Sequence, residues 1–322
     1  MPPWPPDPAC REFQFERRLS EEEKQLIRTW ADSGAERGDP MDAPLPLPSP
    51  ELDRVDLALD AGESYLPQTA DYGDVQCFVL DPALAVPADV TGLRVLPGSQ
   101  RVHDVLVFSV DRASALAADT ADPAVGFDCL GAPLGGSLIG SWIPNSPPML
   151  YPEGTGVRLG SESALVLQIS YDLATGVATD DRTGLQLRLA DAPVARPASI
   201  QIVANDAFSL PAMTRNVTAT TSLALTDTGV IWGVAAELRL RGTAAALRLQ
   251  TQAGPQCLLD IPNYNAGWQE LYLVRGDTGI GFGSGDVVEL DCTWDNSSME
   301  PIGPGPSPTD ELCVAYLLTT AP

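Results

Sequence analysis

Histidine and lysine are almost missing from this chain of 322 residues: His103 is the one imidazole, and among 19 basic side chains only Lys24 is lysine. A single imidazole excludes any site that needs two from the same chain. Positive charge is scarce as well, with 43 acidic against 19 basic residues and a net charge of −24, so a polyanion is repelled and nucleic acid is not an expected partner. No apolar run approaches the roughly 18 residues that would cross a bilayer, which argues against a membrane span. The Met1-Pro2-Pro3-Trp4 start has neither the basic nor the apolar region of a signal peptide. C-x-x-C and C-x-x-C-H are absent, which disfavours zinc knuckles, iron-sulfur clusters and covalent haem.

What is present is a chain with 44% apolar side chains, enough for about two globular domains. Its six cysteines, Cys10, Cys77, Cys129, Cys257, Cys292 and Cys313, are widely spaced. Such spacing suits disulfides formed in an oxidising compartment, periplasmic or extracellular, although six cysteines allow fifteen pairings.

Ser20 followed by Glu23 forms a capping box with acid at the positive end of the helix dipole, so a short helix is expected through Trp30. Residues 41–50 alternate proline with other residues and read as an extended tether. Beyond residue 51 the apolar period changes from 3.6 to 2 and helix formers give way to β-branched residues. Strand-like segments recur, among them 102–110, 165–171, 230–240 and 313–318, separated by turn clusters at the spacing of antiparallel sandwiches. The series breaks at Asp191-Ala192-Pro193. The expectation is an all-β chain of two β-sandwich domains, 51–193 and 194–322, with almost no helix after residue 40.

Six phrases carry a family resemblance: Gly140-Ser141-Trp142-Ile143-Pro144, Tyr151-Pro152-Glu153-Gly154, Leu165-Val166-Leu167-Gln168-Ile169-Ser170-Tyr171, Cys257-Leu258-Leu259-Asp260, Cys292-Thr293-Trp294-Asp295-Asn296 and Thr309-Asp310-Glu311-Leu312-Cys313. In this order they resemble landmarks of the copper type II, ascorbate-dependent monooxygenases, which include peptidylglycine alpha-hydroxylating and dopamine beta-monooxygenases and bacterial relatives. The resemblance implies tandem jelly-roll domains facing one another across a water-filled cleft, each holding one of two copper ions. It also implies the pairs Cys77–Cys129 and Cys292–Cys313, leaving Cys10 and Cys257 to pin the amino-terminal segment to the second domain. Residues 1–40 resemble the end of a c-type cytochrome domain without its haem motif, and are expected to be a remnant or the tail of a longer protein.

Carried over position by position, the family's copper ligands are largely gone. His103 survives at the first site, while Asp104 stands for the second imidazole and Ser170 for the third. At the second site Glu237 and Arg239 replace a His-x-His pair and Leu312 replaces the thioether. Copper that cycles between two oxidation states needs imidazole or sulfur donors, and a guanidinium has no lone pair to give. No cofactor is therefore expected, and the pattern is that of a pseudoenzyme whose cleft binds a partner protein or small ligand. An oxidoreductase with a non-standard site and a purely structural module are the alternatives.

Strand parity puts Glu237 and Arg239 on one face, opposite Leu238 and Leu240, where they can form an ion pair. The same parity separates His103 from Asp104, which argues against a hydrolytic triad with Ser170. Gly281-Phe282-Gly283-Ser284-Gly285 reads as a hairpin rather than a nucleotide loop. Acidic turns such as 119–122 lack the ligand spacing of a dedicated calcium site. Asn216-Val217-Thr218 and Asn296-Ser297-Ser298 fit the glycosylation sequon.

Overall fold

The alternation beyond residue 51 becomes β-structure in three sheets. The computed structural model describes residues 5–39, 51–68, 74–129, 133–173, 179–305 and 309–322. The proline-rich tether 41–50 and the Met1–Trp4 segment lie outside the described residues. A ten-stranded sheet runs Leu57–Asp60, Gly184–Leu189, Ala88–Leu96, Thr155–Leu159, Arg196–Ala204, Val314–Thr320, Gly229–Glu237 and Tyr272–Leu273, with Met149–Leu150 and Ile280–Phe282 paired off this path. A five-stranded sheet holds Phe127–Asp128, Asp74–Leu80, Ser163–Tyr171, Val102–Asp111 and Ser137–Trp142. A four-stranded sheet holds Thr214–Ala224, Val287–Asn296, Gly242–Thr251 and Gly254–Ile261. The chain is all-β, its sheets packed face to face in jelly-roll-like sandwiches.

Two apolar cores result. One lies mainly in the first half, around Phe78, Phe108 and Leu167, and the other in the second half, around Leu247, Leu290 and Trp294. The ten-stranded sheet belongs to both halves, because Arg196–Ala204 pairs in parallel with Thr155–Leu159 across residue 193. Two of its central strands are apolar on both faces. Along Gly229–Glu237, Trp232 and Ala235 enter the first core while Ile231, Val234 and Ala236 enter the second. Along Val314–Thr320, Tyr316 and Leu318 face the first core, Ala315 and Leu317 the second. Burial on both faces explains why these strands read as continuous apolar runs. Along these strands the halves thus share packed side chains.

Two α-helices occur among the described residues. Glu21–Asp32 follows the expected capping box, in which the Ser20 hydroxyl accepts from the Glu23 amide and the Glu23 carboxylate accepts from the Ser20 amide. Arg112–Ala121 is a helix that the strand-rich pattern does not anticipate. Asp111 caps it by accepting from the Ser114 amide, and its alanines favour it locally. Neither is long and apolar enough to cross a membrane. The expected hairpin around Gly283 is instead a crossover: Ile280–Phe282 pairs with Gly229–Glu237, whereas Val287–Asn296 belongs to the four-stranded sheet.

Three disulfides form, Cys10–Cys257, Cys77–Cys129 and Cys292–Cys313. Together they suit an oxidising compartment. Cys292–Cys313 ties the four-stranded sheet to the entry of Val314–Thr320, and Cys10–Cys257 fixes the amino-terminal segment to Gly254–Ile261.

Candidate functional site

His103 and Asp104 lie together, contrary to simple alternation. The Val102–Asp111 strand slips register against Ser163–Tyr171 between Val102 and Asp104, a bulge that adds one residue and turns two neighbouring side chains to one side. His103 Nδ1 is 3.2 Å from Asp104 Oδ2, and the Ser170 hydroxyl donates to Asp104 Oδ1 at 3.0 Å. The carboxylate is thus the centre of this trio. In a hydrolytic triad the imidazole stands between serine and carboxylate, so the order here is wrong for nucleophile activation.

The other edge of the imidazole meets the second half. Its ring lies 5.5 Å from that of Trp268, and a Cβ built at Gly267 would stand 3.2 Å from His103 Nε2. Nδ1 is engaged by Asp104, and the Nε2 edge lies beside Gly267, where any larger side chain would crowd it. The hydrogen bond to Asp104 raises the His103 pKa above its ordinary value, against a smaller opposing effect of burial.

Glu237 continues the row of Trp232 and Ala235 that faces the first half. Its buried carboxyl accepts from the Tyr316 hydroxyl at 2.7 Å. Burial raises its pKa; Tyr316 and Arg239 oppose that rise, and Asp104 adds to it across the seam. The strand ends at Glu237, so parity does not carry on to Arg239. Leu238 is fully buried while Leu240 is 61% exposed, and a turn closes with the Gly242 amide on the Arg239 carbonyl. The expected Glu237–Arg239 ion pair therefore takes another form. The Arg239 guanidinium reaches the Asp310 carbonyl at 3.4 Å, and its charge is balanced jointly by Glu237, Glu311 and Asp310.

Glu311 organises this corner, a role that the sequence does not signal. Its carboxylate accepts from the Arg239 amide at 3.0 Å and the Arg241 amide at 2.9 Å, with no exposed surface. Leu312 is half-buried between it and the Cys313 disulfide. Position by position, then, His103, Asp104 and Ser170 converge, Glu237 faces them, and Arg239 with Leu312 belongs to a separate corner.

This donor set does not fit a redox copper. In the two sites that the resemblance implies, an imidazole whose Nδ1 is engaged, an engaged carboxylate and a hydroxyl would make the first, and a carboxyl bound to Tyr316, a guanidinium and an isobutyl group the second. Among the described residues no three His, Cys, Asp or Glu side chains group into a metal site.

Elsewhere along the seam a cavity of about 40 Å³ opens, lined among others by Gln14, Phe15, Ser141, Ser146, Met149 and Glu270. That volume takes about three waters. Here too the halves are joined, since the Leu271 amide donates to the Ser141 hydroxyl at 2.8 Å. None of His103, Asp104, Ser170, Glu237, Arg239 and Leu312 lines it.

No family model matches the chain, and no curated protein does. Among solved structures, it is similar to the major capsid protein P2 of bacteriophage PM2, at 8% identity and a TM-score of 0.33, over 82% of this chain and 97% of that one. The VP2 subviral particle of infectious bursal disease virus matches at 12% identity and a TM-score of 0.24, over 88% and 76% of the two chains. An allantoicase matches at 10% identity and a TM-score of 0.23, over 78% and 80%.

Proposed function

We propose that this chain is a non-catalytic relative of the copper type II monooxygenases that has lost both metals and acts by binding a partner protein or a small ligand at the seam between its halves, in the periplasm or outside the cell. The observation that supports this reading is the engagement of Asp104. Its two oxygens are taken by Ser170 and His103, and Glu237 opposite is taken by Tyr316, so the side chains at the former ligand positions satisfy one another. Those interactions engage the carboxyls where the resemblance would put the metals. Open space remains beside Glu270, Ser141 and Ser146.

A purely structural module is the second reading, favoured by the core that the halves share through Trp232 and Tyr316. Metal analysis and copper titration of the purified protein test the main proposal. Substoichiometric copper and no ascorbate-dependent oxygen consumption are expected. Stoichiometric copper accompanied by ascorbate-dependent oxygen consumption would overturn it.

A further inference from the structure

The amino-terminal segment lies on the second half as a bound peptide would. Phe13 bridges Val274 in antiparallel fashion, the Gln14 amide donates to the Leu273 carbonyl at 2.8 Å, and the Arg275 amide donates to the Glu12 carbonyl at 3.2 Å. These are the backbone bonds of a peptide added to a strand edge. Two side chains anchor it. Phe13 is fully buried with its ring 5.4 Å from Tyr272, and Arg17 places a guanidinium nitrogen 2.5 Å from Glu270 Oε2. Glu270 and Tyr272 also line the cavity on the seam, together with Gln14 and Phe15 of the strap itself.

The strap is held at its other end by Cys10–Cys257, and by the Arg11 guanidinium on the Cys257 carbonyl. Of the three disulfides this one has both cysteines only half-buried, whereas Cys77 in one of the others and both Cys292 and Cys313 in the third are buried. Thiol–disulfide exchange requires access to sulfur, so a dithiol meets Cys10–Cys257 first.

We propose that the strap is an intramolecular ligand: the groove formed by residues 270–275 binds an extended peptide of a partner protein that carries an aromatic side chain and, four residues on, an arginine, with Cys10–Cys257 as the latch. A dithiol opens the latch. Its two sulfurs form a new disulfide as the Cys10–Cys257 bond breaks, and its two electrons and two protons leave both cysteines as thiols. The freed strap then competes with the incoming peptide as a tethered segment, and the peptide's arginine takes over the Glu270 carboxylate. This names a partner class for the binding reading above and rests on it only in locating the contact along the seam. Copper content and peptide binding are read separately, so either idea can fail alone.

The test uses the full chain carrying Cys10→Ser, Cys257→Ser, Phe13→Ala and Arg17→Ala, which empties the groove and keeps the other two disulfides. The probe is a fluorescent peptide of residues 7–19 with serine at position 10. Binding to this variant is expected, with none to the intact protein, and with an affinity at least about tenfold lower when the peptide carries Phe13→Ala or Arg17→Ala. Equal binding of the alanine peptides, or none to a folded variant, would overturn the proposal. Hydrogen exchange on the unmodified protein gives an independent reading. Under mild reduction that leaves Cys77–Cys129 and Cys292–Cys313 intact, the Gln14 and Arg275 amides should lose protection, and unchanged protection would mean that the strap is a fixed part of the fold.

Discussion

Ser170 donates its hydroxyl to Asp104 rather than to His103, although all three side chains lie at one bulge. The imidazole is consequently tuned by the carboxylate and has no serine to activate. Because His103 is the one histidine of the chain, its ring protons give one titration curve without assignment. Asp104 raises its pKa above the ordinary value of 6.5. A base whose folded pKa is raised contributes stability that is complete below the unfolded value and lost as pH climbs through the folded one. Proton NMR should show His103 titrating above its ordinary value in the native protein and moving back down in Asp104→Asn. A midpoint that does not respond to that substitution would mean that Asp104 is not the cause.

Glu237 shifts in the same direction for a different reason. Its folded pKa lies above the ordinary glutamate value of 4.5, chiefly through burial. Between those two values the folded chain holds more protons than the unfolded one, so stability falls as pH rises through this window and the penalty persists above it. Glu237→Gln removes the charge and keeps an acceptor for Tyr316. Melting temperatures of the variant and the parent should nearly coincide at about pH 4, with the variant equal or higher at about pH 8. Glu237→Ala, by contrast, leaves the buried Tyr316 hydroxyl without its acceptor and should cost about 1–3 kcal/mol.

The two sequons are structurally unlike. Asn296 is fully buried; its amide donates to the carbonyls of Leu210, Pro211 and Glu300, and its carbonyl accepts from Ser298. Asn216 is exposed at a bulge in Thr214–Ala224 with φ of 54°. Asn296→Ala should cost about 2–4 kcal/mol by chemical denaturation, as several buried carbonyls lose their donor together. Asn216→Gly should be neutral or gain a few tenths of a kcal/mol, since glycine adopts positive φ freely. Equal losses at both positions would contradict this division.

Much of this architecture is legible in residue order. Period-2 alternation marks most of the strands, and Ser20 with Glu23 marks the start of the first helix. What escapes is whatever depends on register. The bulge at His103 needs two partner strands to define it, and the end of the strand at Glu237 is masked because Leu238 and Leu240 continue the alternation. Tyr316 as the partner of Glu237 follows only once Gly229–Glu237 and Val314–Thr320 are aligned. Phe13 and Arg17 sit in an irregular, proline-flanked stretch, where no periodicity announces that they are anchors.

Trp232 offers the sharpest test of whether the halves form one cooperative unit. It sits on a strand of the shared sheet, is almost fully buried in the first core, donates its indole N–H to Thr320 Oγ1 at 2.9 Å, and lies 5.2 Å from the Arg196 guanidinium that stacks over it. Arg196 itself begins the strand whose parallel pairing crosses from one half to the other. Loss of this ring would remove packing from the first core and a hydrogen bond from the second half's own strand, so neither half could unfold without weakening the other. Calorimetry should therefore show a single transition for the parent, and Trp232→Ala should lower that transition as a whole by about 3–5 kcal/mol. Two resolved transitions, with only the earlier one moved by Trp232→Ala, would mean that the ten-stranded sheet joins the halves in geometry without coupling them in free energy.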